Sequence, residues 1–489
     1  MTMRLAPGRA TRLMALASGT ALVLTACGGD DGESAEGDGS SSSESGSGGE
    51  GGPDGEPFLV GIYGPGVLPQ GTSINNAAQL AVDQLNADNG VGGRPIELTE
   101  FCDTQDGAQP QLAQQCVQGF IQEDRVDAII GGFSSAEVIA AVEPAVDGET
   151  LFINVGAASP AVNEGVTTDN ERRFVFSIGP VDSLALAGDM CLTYVAKLFP
   201  QLGVSRVGIL FEDVEYNQQL IPALSQCLTD PAGSAIGQAL QLPDSIPAVE
   251  LVATEGHAPD ATDFSSQFSA LESAGAEFVI ASNSRQEGVT IVQQWAETKP
   301  SFGLSGINVA GQAPGFFQAV GGGDARYFLN GPAGTIRAPV TEQTIEFYDA
   351  FESEFGEGPV YTGAPTYDAF QMLALAAEEA GGADDPDALI TALAGLEYEG
   401  AQGMEMFDET HRVVYGAGGL RPGVNPLYFQ FGEDGAPALV FPETIDAAQA
   451  YAPPPWVQFA GPIAAAEGDG SGVAPEEAPP ADGEEGGEG

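Results

Sequence analysis

Val126-Asp127-Ala128-Ile129-Ile130-Gly131-Gly132-Phe133-Ser134-Ser135 passes from an apolar, β-branched run through two glycines to two serines, and then into a helical pattern from Ser135 to Val146. A short apolar run bounded by turn residues marks a strand buried on both faces, as in a parallel sheet, and serine ahead of an apolar-periodic segment marks a helix start. The stretch therefore reads as strand, tight turn, helix. Its serines can cap the helix while first-turn N–H groups point outward, where a carboxylate could dock. Ser134 or Ser135 as a plain cap of its own helix fits the same residues.

Outward from this stretch the alternation repeats. Phe58 to Tyr63, Ile96 to Phe101 and Leu151 to Val155 are further strand-like runs. Between them Ile74, Ala78, Ala81 and Leu85 share one helical face, and Leu112, Cys116, Gly119 and Phe120 share another, while Pro144 stops or kinks the third helix. The pattern then starts afresh. A helix from Ser183 to Leu198 leads to a strand from Val204 to Phe211, a helix from Gln218 to Leu228 and a strand from Val249 to Thr254. A helix from Phe264 to Ser273, a strand from Phe278 to Ala281 and a helix from Glu287 to Ala296 follow. Helices at Thr341 to Phe355, Thr366 to Ala380 and Asp387 to Leu396 precede a strand-like end around Leu427 to Phe431. The prediction is an α/β chain of two doubly wound open-sheet lobes with right-handed crossovers. Where two such sheets face one another through the carboxyl ends of their strands, the crevice is the expected ligand site.

The ends differ from this middle. Arg4, Arg9 and Arg12 precede an apolar run from Leu13 to Ala26, which Leu24-Thr25-Ala26-Cys27 closes. The run is too short for a membrane span and fits an export signal, with a lipoprotein reading in which residues 1–26 are removed and Cys27 carries lipid. An ordinary secretory peptide with a chance cysteine is the alternative. Residues 27–57 are then a lipidated cysteine and a flexible Gly/Ser/acidic tether, too poor in apolar side chains to fold. From Pro453 the chain turns to Pro, Gly, Ala and Glu, so 453–489 reads as a disordered tail. The protein is expected to be extracytoplasmic, anchored by lipid to the cell membrane.

The roughly four hundred residues between the ends suit two domains. The formal net charge of −55 becomes about −58 once the three signal arginines leave. Nucleic acid and acidic lipid surfaces would be repelled, so no nucleic-acid partner is expected. Lysine occurs only at Lys197 and Lys299, and the acids are spread along the chain. Adaptation to salty surroundings and lineage bias explain that equally well. Cys102, Cys116, Cys191 and Cys227 are an even set in an exported chain, where disulfides persist, and local pairing within each couple is expected. No metal site or cofactor is expected, because C-x-x-C spacing is missing and His257 and His411 lie far from the cysteines. Neither a G-x-S-x-G elbow, an H-E-x-x-H pair nor a phosphate loop occurs, so an enzyme is not expected. The run Gly321-Gly322-Gly323 reads as a turn.

Gly61-Ile-Tyr-Gly-Pro-Gly66, Ala81-Val-Asp-Gln-Leu-Asn86 and Asn89-Gly-Val-Gly-Gly-Arg-Pro-Ile96 stand ahead of the opening stretch, with Gly156-Ala-Ala-Ser-Pro160 and Thr366-Tyr-Asp-Ala-Phe370 behind it. Together, in this order and spacing over about Phe58 to Phe441, they resemble the branched-chain amino acid (Leu/Ile/Val) binding proteins of ABC importers, which have the type I periplasmic-binding fold. The resemblance implies two lobes joined by a three-strand hinge: 58–178 plus 335–400 as lobe 1, and 179–334 plus 401–452 as lobe 2. It implies a monomer that captures a small solute between closing lobes and hands it to ABC permease and ATPase subunits. A sensor that signals to a membrane receptor through the same closure is the rival.

The resemblance also implies a ligand set. Ser135, Gly156 and Ala158 match the family's head-group positions, flanked here by Ser134 and Ala157. Tyr216 matches a tyrosine that covers the ligand, and a surface tyrosine is the bland alternative. Gln70 and Arg285 stand where many relatives carry aromatic residues, and neutral Gln312 stands near the carboxylate that receives the ligand's ammonium group. Losing that acid would weaken amine recognition, while Arg285 would favour an anion or is a mere surface charge. Amino acids, amides and short carboxylates all remain open as ligands.

Overall fold

The structure, a computed structural model, describes residues 53, 55–167, 170–334 and 336–462. The signal segment, Cys27, nearly all of the tether and residues 463–489 lie outside the described residues.

The first sheet is parallel and takes the order β2 (Ile96–Leu98), β1 (Phe58–Gly64), β4 (Ala128–Gly131), β5 (Leu151–Asn154), β6 (Val175–Ser177), with β3 (Cys102–Asp103) also on β1. Its strands are uniformly apolar because both faces are covered. Ala128 and Ile130 pack with Ile74, Ala78, Phe370 and Leu373 on one side, while Ile129 packs with Val117, Val138 and Val142 on the other. That alternation is the two-residue period of a strand.

The second sheet runs β15 (Pro437–Phe441), β14 (Leu427–Phe431), β11 (Leu329–Ala333), β10 (Gly303–Asn308), β9 (Phe278–Asn283), β7 (Arg206–Glu212), β8 (Glu250–His257). Its strands are parallel from β8 to β11, and β14 and β15 complete it antiparallel. Here too alternate residues face opposite layers: Phe278 and Ile280 join one apolar cluster, and Val279 and Ala281 the other.

The chain passes between the sheets three times: after β6, after β11, and after the helix Pro386–Gly395 through the hairpin β12 (Tyr398–Gly400) and β13 (Gly403–Glu405). The passages are tied at one place. Gln402 Nε2 donates to the Ile178 carbonyl (3.2 Å), the Thr341 hydroxyl to Gly400 (2.8 Å) and the Thr344 hydroxyl to Ala401 (2.8 Å). Asp368, from the helix Gly363–Ala380, accepts from the Ala401 and Gln402 N–H groups.

Cys102 is bonded to Cys116 and Cys191 to Cys227, with Cα atoms 5.9 and 6.0 Å apart, so each sheet region carries one clip. No helix among the described residues is long and apolar enough to cross a membrane.

Four differences from the sequence reading stand out. The run Ile96 to Phe101 is a strand only as far as Leu98, and a separate two-residue strand, β3, follows it. The short β6 and β15 form at the edges of what the sequence marks out. β10 and β11 hold Gly303, Ser305, Gly306, Asn330, Gly331 and Pro332, residue types that weaken a strand signal, yet both are wholly buried between neighbouring strands. Disorder from Pro453 fails for residues 453–462. Trp456 packs on Trp295 and Tyr327, Phe459 packs on Phe278, and Gly461 N–H bonds the Leu202 carbonyl. Two large aromatic side chains offer enough apolar surface to hold this stretch on the second sheet's layer.

Candidate functional site

The carboxyl ends of β4 and β5 face those of β7, β9, β10 and β11 across a cavity of about 770 Å³. The wall from the first sheet is largely backbone. Gly132 has φ of +93°, and a Cβ there would lie 2.4 Å from Val138, so only glycine makes this turn. Gly156 approaches so closely that a Cβ would lie 2.3 Å from the Gly132 carbonyl oxygen. These glycines bring the two loops together. Ser134 caps the helix Ser135–Asp147 by accepting from Glu137 N–H (3.4 Å). The N–H groups of Ser135 and Ala136, in the first turn, have no acceptor within their own helix. Ser135 Oγ accepts from Ser159 N–H (3.1 Å), which joins the two loops, and the Tyr361 hydroxyl donates to the Gly156 carbonyl (2.7 Å).

The opposite wall carries side chains. Tyr216 lines the cavity with its hydroxyl on Ser282 Oγ (2.9 Å). Ser282 in turn donates to Asn217 Oδ1 (2.7 Å), and Asn217 Nδ2 donates to the Glu212 carbonyl (2.8 Å). Glu212, fully buried at the end of β7, accepts twice from Ser284, N–H and hydroxyl both at 2.7 Å. Its other oxygen faces Arg285 Nε at 3.5 Å. Glu287 opens the helix Glu287–Thr298, is 4% exposed, and accepts from Arg285 N–H (3.2 Å) through one oxygen. Burial first, and then the charge of Glu212, pushes Glu287 up to about 8.

Arg285 also reaches across the cavity. Its Nη1 donates to the Asp106 carbonyl (2.8 Å) and its Nη2 to Gly107 (3.4 Å), both on the first sheet's side. Behind that loop Glu137 is fully buried, and burial pushes it up to about 7 against the opposing pull of Thr104, Arg285 and the Ser134 main chain.

Seven of the nine expected ligand residues line this cavity: Ser134, Ser135, Gly156, Ala158, Tyr216, Arg285 and Gln312. Two do not. Gln70 is buried in its helix, 4% exposed, with its carbonyl accepting from Thr362, and Leu68 borders the cavity instead. Ala157 is turned inward because Asn154 takes both its N–H (2.8 Å) and its carbonyl (2.8 Å). Arg285 is no mere surface charge, since its guanidinium is engaged with Glu212 and two carbonyls. The sequence reading passed over Glu212 and Glu287. The available signal was an acid directly after the apolar run Val207 to Phe211.

Residues 57–418 match the family model described as periplasmic binding protein. The chain is 25% identical over 383 residues to Leu/Ile/Val-binding protein homolog 8 of Brucella melitensis, covering 75% of this chain and 85% of that one. It also resembles the branched-chain amino acid transporter substrate-binding protein of Streptococcus pneumoniae, solved with isoleucine, at TM-score 0.59 and 19% identity over 79% of this chain and all of that one. A solute-binding protein of an ABC transporter from R. palustris, solved with benzoate, matches at TM-score 0.61 and 16% identity over 82% of this chain and 99% of that one.

Proposed function

This chain belongs to the periplasmic binding protein family, and on that premise we propose that it is the lipid-anchored, extracytoplasmic solute-binding component of an ABC importer, holding an amino acid or a similar small polar solute between its lobes. The observation that carries this reading is the cavity of about 770 Å³ with one wall from each sheet, crossed by Arg285. Contacts made to both walls at once favour the closed form, and differential affinity for that form is what a ligand needs to shift the balance. Membrane subunits would read the closed shape, and a tether from Cys27 would keep the protein near them at high effective concentration.

Neighbours of this fold bind solutes as different as isoleucine and benzoate, so the walls of this chain have to decide among amino acids, amides and short carboxylates. The test is a thermal-shift screen of the mature chain over those three classes at low and high salt. Ligand raises apparent stability by mass action, so the true class is expected to stand out concentration-dependently. A flat response across the whole panel would contradict the reading.

A further inference from the structure

Where the passages between the two sheets are tied together, two acids meet in the dry interior. Asp368, in the helix Gly363–Ala380, and Glu405, at the end of β13, are both fully buried. Among the described residues no cation acts on either. Asp368 Oδ1 accepts from Ala401 N–H (3.1 Å) and its Oδ2 from Gln402 N–H (3.3 Å). Glu405 Oε1 accepts from Gln402 Nε2 (2.6 Å), while its Oε2 is buried with no N–H or hydroxyl donor among the described residues. The side chain that Glu405 meets besides Gln402 is Asp368.

Two carboxylates sharing one buried site cannot both ionise. A protonated carboxyl carries an O–H, so an oxygen without a donor is satisfied by becoming one. Asp368 already receives two N–H groups and is the natural acceptor, which leaves the proton on Glu405. The energetics agree with that geometry. Burial first, and then the charge of Asp368, hold Glu405 well above the usual carboxylate range. Asp368 is pushed up only to about 7, by burial against the pull of Ala401 N–H, Glu405 and Gln402 N–H. The other ionisable groups facing the pair are the phenols of Tyr398 in β12 and Tyr367 in the helix, both held above their usual range first by burial, so neither brings a charge.

The pair reaches the ligand site through Gln402, which borders the cavity. Gln402 Nε2 donates to Glu405 and to the Ile178 carbonyl (3.2 Å). Both amide hydrogens are thereby committed, and Oε1 is the polar atom of this side chain left for the cavity. Resting on the solute-binding reading, we propose that Glu405 is a positioning residue for the cavity: one proton shared with Asp368 seats the β12–β13 hairpin on the helix Gly363–Ala380 and fixes the amide of Gln402 where the passages meet. A solute then closes the lobes around a floor that is already set, and without the proton that floor has to be ordered at the expense of binding.

The experiment joins infrared spectroscopy to titration calorimetry on the full mature chain, Glu405→Gln and Glu405→Leu. In wild-type-minus-variant spectra at pH 8, a protonated-carboxyl C=O band should appear, although an ordinary glutamate is fully ionised there. The calorimetric probes are the common L-amino acids, their amides and benzoate. Glu405→Leu fills the space with neither donor nor acceptor, and for each probe that binds it should be weaker by about fivefold or more. Glu405→Gln can donate to Asp368 and accept from Gln402 as the protonated acid does, and should recover most of that loss. Absence of the band, full affinity in Glu405→Leu or no recovery in Glu405→Gln overturns the inference and leaves solute binding intact. Failure of every probe to bind the wild type overturns the solute-binding reading and the positioning role with it, whatever the band shows. Should one variant not fold, the other supplies both the difference spectrum and the affinity, with the same outcomes deciding.

Discussion

On one wall of the cavity the ligand-facing groups are main-chain N–H groups and small residues, set by Gly132, Ser134 and Gly156. On the other they are side chains, Arg285, Glu287 and Tyr216, backed by the fully buried Glu212 and drawn from the ends of different strands. A backbone wall is neutral and specified by a few consecutive residues. A side-chain wall stores unbalanced charge, and each member depends on the others. Ligand identity is therefore expected to be written in the second wall, and simple anchoring in the first.

Breaking the charged wall at its most buried member should have the largest effect. Glu212→Ala leaves Arg285 without its anion and Ser284 without its acceptor, and should cost about 3–5 kcal/mol of stability, read from denaturant unfolding. A loss under about 1 kcal/mol would mean that the cluster contributes nothing net to the fold.

The next effect concerns pH. Glu137, Asp189 and Asp368 are buried acids pushed up to about 7, and burial is the first cause for each. Their folded values exceed the ordinary 4.5 or 3.8. Folding thus favours the protonated forms, and their contribution is full at low pH and fades as pH rises through about 7. The melting temperature should fall from pH 5 to pH 8, and Glu137→Gln should flatten part of that slope. A rising profile would contradict these assignments.

Arg285→Ala removes two bonds between the walls as well as the partner of Glu212. The affinity for the best probe of the screen should drop about tenfold or more, measured by calorimetry. Unchanged affinity would take Arg285 out of the closure. The mildest change belongs to the backbone wall: Ser134→Ala removes one helix cap and should cost about 1 kcal/mol in unfolding, with a modest loss of affinity.

The same contrast explains what the sequence disclosed. The strand, glycine turn and capped helix at Val126 to Ser135 are adjacent in the chain, so local pattern suffices to mark Ser134 and Ser135 at a helix start, whereas Gly156 and Ala158 were placed by the resemblance. The two disulfides were legible because each joins neighbouring elements. Glu212 and Glu287 stand 75 positions apart and meet only after β7 and β9 pair in register, which no local window reports. β10 and β11 escaped because glycine, proline, asparagine and serine fill them, and their burial comes from the sheet around them. Gln70 was placed by resemblance alone, and packing against Thr362 settled its position instead.

The most direct test of the account is small-angle X-ray scattering from the mature chain without ligand and saturated with the best probe of the thermal-shift screen. Closure of two lobes on a solute predicts a smaller radius of gyration and a shorter maximum dimension in the saturated sample. Superimposable scattering curves, from samples shown by calorimetry to be bound, would contradict it.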